Sequence, residues 1–118
     1  MILTSCVLNL FIKNEIMKAI SNDEISKYLT SHLKNWNFAE NAIKREFKFK
    51  TFVEAFSFMT ATALEAEKMD HHPDWSNGYN KVNVALSTHS AGGVSQQDFD
   101  LAEKMDGIFK TFGSKGAP

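Results

Sequence analysis

Apolar residues recur along the chain at two periods, and the changes from one to the other divide it into elements. Beyond Ser21, the residues Ile25, Leu29 and Leu33 fall four apart, the spacing of one helix face. Beyond Thr51, the residues Phe52, Phe56, Met59, Ala63 and Ala66 step by fours and threes. They predict a second helix to about Met69 with that stripe against the core. A third set, Ala102, Met105, Phe109 and Phe112, is widened by Leu101 and Ile108 and ends at Gly113, where a helix would stop. Each helix opens on a capping pair: Ser21 with Glu24, Thr51 with Glu54, and Ser95 with Asp98.

Between the helices the period falls to two. Trp36 and Phe38, then Ile43, Phe47 and Phe49 alternating with Lys44, Glu46, Lys48 and Lys50, read as a hairpin turning near Glu40-Asn41. A second hairpin follows Pro73. In its long strand Val82, Val84, Leu86 and Thr88 point one way, and Asn83, Ala85, Ser87 and His89 the other. Its turn falls at Asn77-Gly78 or at Asn80-Lys81, since both qualify. The order helix, strand, strand, helix, strand, strand, helix predicts an α+β domain: a four-stranded antiparallel sheet with three helices on one face.

Composition narrows the function. A chain of 118 residues with 43% hydrophobic content suits one domain. Thirteen basic against fourteen acidic residues leave no surplus of positive charge for a phosphate backbone, which argues against direct nucleic-acid binding. The single cysteine, Cys6, excludes an intrachain disulfide and a cysteine-cluster metal site, and fits a reducing, intracellular setting. The apolar run Ile2 to Ile12 has no basic residue before it and no A-x-A-like cleavage site after it, and it is too short to cross a bilayer. Residues 1–20 therefore read as an extension, with Met17 as an alternative start, residues 21–113 as the domain and residues 114–118 as a tail.

The chemistry concentrates in Glu67-Lys68-Met69-Asp70-His71-His72-Pro73-Asp74-Trp75. Adjacent imidazoles are difficult to bury together with every ring nitrogen satisfied, so this stretch suits a site better than a core. Pro73 forces His72 out of the α region, which makes the chain leave the second helix at the double histidine. His89, at the far end of the last strand, is the natural third member of a cluster. The plainer readings are a histidine pair complementing a helix dipole, a surface histidine ending a strand, and Trp75 and Tyr79 as ordinary strand aromatics. Asp98 reads as a capping carboxylate. With Asp70 and Asp74 nearby the histidines could also hold zinc or iron, although neither an H-x-x-x-H nor an H-x-H spacing is present.

Taken jointly, Glu67, then His71-His72-Pro73, Tyr79, His89 and Asp98, separated by three, five, nine and eight residues, resemble the signature of the pterin-4a-carbinolamine dehydratases. The resemblance extends from about Ser21 to Phe112. It implies dehydration of 4a-hydroxytetrahydrobiopterin to quinonoid dihydrobiopterin, in regeneration of tetrahydrobiopterin, without a cofactor. It also implies His71 and His89 as general acid and base, with His72 holding the pterin. Glu67 would orient a histidine, Trp75 would wall the pocket, and Asp70, Pro73, Ser87 and Thr88 would line the substrate, while Asp98 and Tyr79 are structural. Imidazole suits both proton transfers, because its ordinary pKa of about 6.5 lies near the working pH. Members of this family form homodimers and homotetramers through sheet edges and helices, and some serve as dimerisation cofactors of a homeodomain transcription factor. The implied setting is cytoplasmic, compatible with a nuclear presence, with no membrane partner.

Overall fold

The computed structural model describes residues 18–112; the apolar run before Met17, Gly113 and the tail lie outside them. The described elements are α1 (Asn22–His32), β1 (Asn37–Ala39), β2 (Ala42–Lys48), α2 (Phe52–Met69), β3 (Asp74–Gly78), β4 (Lys81–Leu86), a 3-10 turn at His89–Ala91 and α3 (Gln96–Phe112). The strands form one antiparallel sheet in the order β1-β2-β4-β3. This is the predicted α+β architecture.

Capping residues start the helices where the sequence places them. The Ser21 hydroxyl accepts the Glu24 amide at 3.3 Å and the Thr51 hydroxyl accepts the Glu54 amide at 3.1 Å, each supplying a partner to an N-terminal amide that the helix leaves free. Ile20, just before α1, donates its amide to the Val94 carbonyl at 2.8 Å and packs against the core. The inward residues of β4, Val82, Val84 and Leu86, are buried with Phe58 of α2 and with Leu101 and Met105 of α3. Around Phe47 the rings of Phe58 and Phe109 lie at centroid separations of 4.6 and 5.3 Å. Arg45 shares the inward parity of Ile43 and Phe47, yet its charge is matched. Its guanidinium donates to Asp106 at 2.6 Å and lies over the Phe47 ring at 4.2 Å, and the Trp36 indole donates to the same carboxylate oxygen.

Two expectations need correction. The buried stripe of α2 is Ala55, Phe58, Thr62 and Ala66, whereas Phe52, Phe56 and Ala63 are exposed and Met59 is half-buried. Three of the buried residues sit one position before an expected one, a rotation of roughly 100° about the axis. The helix carries aromatic residues on two faces, so periodicity alone cannot choose between them. The side that remains outside is apolar: Phe52, Val53, Phe56 and Leu64 are 46%, 70%, 56% and 64% exposed. The corrected face predicts that Phe58→Ala loses about 3 to 5 kcal/mol of stability. Phe56→Ala should change it by about 0.5 kcal/mol or less in the free chain. Urea denaturation of the two variants checks this, and equal losses would restore the other face.

The second hairpin turns at Tyr79-Asn80, between the two expected positions. Gly78 still pairs with Lys81, and Tyr79 takes the positive φ, at 50°. Asn80 belongs to the tip because Phe49, just past β2, holds it: the Phe49 amide donates to the Asn80 carbonyl, and the Asn80 side-chain amide donates to the Phe49 carbonyl, at 2.8 and 2.9 Å. The first hairpin turns at Glu40-Asn41, as expected. Both residues have positive φ, 53° and 62°, as a two-residue turn with the twist of the strands requires.

Candidate active site

The double histidine is split by the way α2 ends. The helix ends at Met69, as expected, and the chain turns at Asp70, whose φ of 52° and ψ of 42° are left-handed. Aspartate tolerates that conformation better than most residues. The Asp70 amide then donates to the Glu67 carbonyl and the His71 amide to the Ala66 carbonyl, each at 3.1 Å, closing the helix with the paired bonds of a Schellman-type cap. After this reversal His71 turns inward and is 8% exposed, while His72 points outward. His72 Nε2 lies 2.9 Å from Glu67 Oε1, a contact between two exposed side chains.

His71 meets a carboxylate that no water reaches. Its Nε2 lies 2.5 Å from Asp98 Oδ1, and Asp98 has no exposed surface. The other oxygen, Oδ2, accepts the Thr88 hydroxyl at 2.8 Å and the Ser95 amide at 2.9 Å. Asp98 thus does cap α3, through the Ser95 amide, and at the same time it holds His71. The reading of Asp98 as purely structural is therefore incomplete. The capping box is also only half formed, since the Ser95 hydroxyl lies 2.6 Å from Thr88 Oγ1 and the Asp98 amide bonds the Ser95 carbonyl instead. The carboxylate's third bond is to His71 Nε2, on the oxygen that Thr88 and Ser95 leave open.

The same carboxylate connects the two histidine-bearing segments. Thr88 immediately precedes His89, so one carboxylate bonds both His71 and the residue before His89. Strand register explains the meeting: Asp74 at the start of β3 pairs with Ala85 near the end of β4, which brings the exit of α2 and the exit of β4 to one end of the sheet. β4 itself stops at Leu86, so His89 opens the 3-10 turn and does not end a strand. His89 is exposed. Its turn is anchored on three sides. The Thr88 amide donates to the Gly93 carbonyl at 2.8 Å, the Gly92 amide donates to the His89 carbonyl at 3.1 Å, and the Asn41 side chain donates to the Gly92 carbonyl at 2.8 Å. A Cβ at Gly93 would lie 3.0 Å from Asn41 Oδ1, so any larger residue would push the Asn41 side chain aside by a few tenths of an ångström.

The other expected site residues lie around this end of the sheet, except Tyr79, which is at the opposite end. Trp75 pairs with Val84 and packs half-buried against the core; Pro73 is half-buried, and Asp70 and Ser87 are exposed. Thr88, expected to line the substrate, is 3% exposed with its hydroxyl committed to Asp98. Tyr79 is exposed at the tip of the β3–β4 hairpin. Asn41, Gly93 and the Ser95 hydroxyl were not legible as site-supporting groups: a turn asparagine and a capping serine look alike whatever they bond. Among the described residues no group of three or more His, Cys, Asp or Glu is placed to hold a metal ion. No helix among them is long and apolar enough to cross a membrane.

Comparison with known proteins gives a consistent result. The family model described as pterin 4 alpha carbinolamine dehydratase matches residues 18–108. A relative from Mesorhizobium japonicum named for that activity is 53% identical over 92 residues, covering 76% of this chain and 93% of its own. One from Prochlorococcus marinus is 41% identical, covering 81% of this chain and all of its own. The crystal structure of a transcriptional coactivator/pterin dehydratase from Brucella melitensis superposes with a TM-score of 0.74 at 45% identity, covering 77% of this chain and 98% of that one. With the match spanning nearly all the described residues, the chain belongs to the pterin 4 alpha carbinolamine dehydratase family, a family of hydro-lyases.

Proposed function

We propose that this protein dehydrates a pterin 4a-carbinolamine, 4a-hydroxytetrahydrobiopterin or a close analogue, to the quinonoid dihydropterin, with His71 and His89 exchanging the two protons. The observation that carries this reading is the Asp98 bridge. One buried carboxylate holds His71 and, through Thr88, the turn that begins at His89. Loss of water from the carbinolamine carbon requires a proton on the departing hydroxyl and removal of one from the neighbouring ring nitrogen. Two imidazoles carried on separate elements suit that division. His72, exposed beside Glu67, would grip the pterin, and Trp75 would wall the pocket. Pterin recycling in a reducing, intracellular setting is part of the same reading. The test is direct: carbinolamine generated in solution should lose water faster with the protein than without it, and equal rates would refute the activity.

A homo-oligomer is the second part of the proposal. The apolar side of α2 supports it, since Phe52, Val53, Phe56 and Leu64 are large and exposed on one helix, and such patches mark interaction surfaces. Two copies of α2 packed antiparallel would place Phe56 of each against Leu64 of the other. Phe56→Glu should therefore lower the mass seen by light scattering while sparing the monomer fold. An unchanged mass would remove this face from the assembly. The coactivator in the Brucella relative's description favours a protein partner as an additional role, and the same face would be available for it.

A further inference from the structure

We infer that Thr88 and Ser95 are positioning residues that fix the tautomer of His71, and thereby make His71 the base and His89 the acid of the dehydration. This deepens the dehydratase reading and rests on it for the two roles, though not for the tautomer itself.

A buried chain of hydrogen bonds fixes where each proton lies. Asp98 Oδ2 accepts the Ser95 backbone amide, which can only donate. It also faces the Thr88 hydroxyl at 2.8 Å. Thr88 has one hydroxyl proton, and giving it to Asp98 leaves its oxygen as an acceptor. The Ser95 hydroxyl, 2.6 Å away, then supplies its own proton to Thr88. The direction of the chain is set: Ser95 to Thr88 to Asp98. With Oδ2 already accepting from two donors, Asp98 completes its set by accepting at Oδ1 from its remaining partner, His71 Nε2. His71 in its neutral form therefore carries hydrogen on Nε2 and a lone pair on Nδ1. Burial strengthens each step, since Ser95, Asp98 and Thr88 are 0%, 0% and 3% exposed and no water competes for these bonds.

A neutral imidazole with its only lone pair on Nδ1 begins a reaction by accepting a proton there. In the dehydration, Nδ1 of His71 takes the proton from the pterin ring nitrogen, and the electron pair of that N–H bond forms the carbon–nitrogen double bond. The carbon–oxygen bond breaks, and the departing oxygen leaves as water with a proton from the His89 imidazolium. Exchange with solvent returns the proton gained by His71 and restores the one lost by His89. Asp98 steadies the imidazolium formed at His71 without itself taking the proton. Thr88, whose hydroxyl is turned away from solvent, acts on the substrate only through this chain.

The test uses 15N-labelled full-length protein with Thr88→Val, Thr88→Ser and Ser95→Ala. In the unaltered protein at neutral pH the imidazole shifts of His71 should report Nε2 protonated and Nδ1 bare. Thr88→Val should convert this into a mixture of tautomers. It should also lower kcat by roughly 10 to 100-fold, the range seen when the outer partner of an oriented imidazole is removed, with KM little changed. Thr88→Ser, which restores a hydroxyl, should recover both readouts. Ser95→Ala keeps the backbone donor to Asp98 and serves if Thr88→Val does not fold; it should move the tautomer in the same direction. A Thr88→Val or Ser95→Ala protein with the His71 tautomer intact overturns the inference, as does a bare Nε2 in the unaltered protein. The tautomer is read without turnover. A protein inactive on carbinolamine but showing the predicted shifts would sink the dehydratase reading and leave the positioning chain standing.

Discussion

Replacing His71 or His89 by alanine is expected to lower the rate of carbinolamine dehydration by roughly 10² to 10⁴-fold in each case, the usual loss for a missing general acid or base. The two variants should differ in stability. His89 is exposed on a turn held through backbone and Asn41 contacts, so His89→Ala should melt within a degree or two of the parent. His71 is the partner of a fully buried carboxylate. His71→Ala should therefore cost about 1 to 3 kcal/mol, because one oxygen of Asp98 is left without its donor. Parallel measurement of turnover and of urea unfolding separates these effects. Near-normal turnover in both variants would mean that neither imidazole moves a proton in the reaction.

Asp98→Asn should be the most damaging of the conservative changes. The parent carboxylate accepts on both oxygens, from His71, Thr88 and Ser95, and an amide can accept on only one side. If its oxygen faces Thr88 and Ser95, its NH2 meets the Nε2 proton of His71, so the imidazole must move that proton to Nδ1. The reacting nitrogen is then no longer a base. A wrongly protonated imidazole in a comparable dyad costs about 10⁴ in kcat, and a loss of about 10³-fold or more is expected here. The truncation Asp98→Ala breaks the same buried network and should lose about 3 to 5 kcal/mol, well above the roughly 1 kcal/mol of a helix cap alone. A loss near 1 kcal/mol with full turnover would return Asp98 to a capping role only.

The elements were largely legible in the sequence because their signals are local. Ser21, Thr51 and Ser95 stand where helices begin, and the alternation from Val82 to Leu86 settled which side of β4 is buried. What the sequence concealed were relations between elements. The stripe of α2 came out one residue away because Phe52 and Phe56 on one side, and Ala55 and Phe58 on the other, are equally apolar. Only packing against β4 and α3 decides between them. The hairpin tip at Tyr79-Asn80 depended on Phe49, some thirty residues earlier, holding Asn80. In the site, the histidines could be found from composition and from the family signature, but their orientations could not. Those orientations rest on the left-handed Asp70, after which His71 is buried and His72 exposed. They also rest on Asp98, whose capping position gives no hint of the imidazole it holds.

On the proposed function, the pterin is bound and dehydrated at the end of the sheet where α2, β4 and α3 meet. The protein's four histidines provide the most direct measurement, because three belong to this end and His32 lies on α1, stacked on Tyr28. Titration of 15N-histidine-labelled protein with a non-reacting dihydropterin should shift the imidazole resonances of His71, His72 and His89 in a saturable way and leave those of His32 unmoved. Saturable binding that shifts His32 alone, or that leaves all four rings unperturbed, would place the pterin elsewhere and contradict the account.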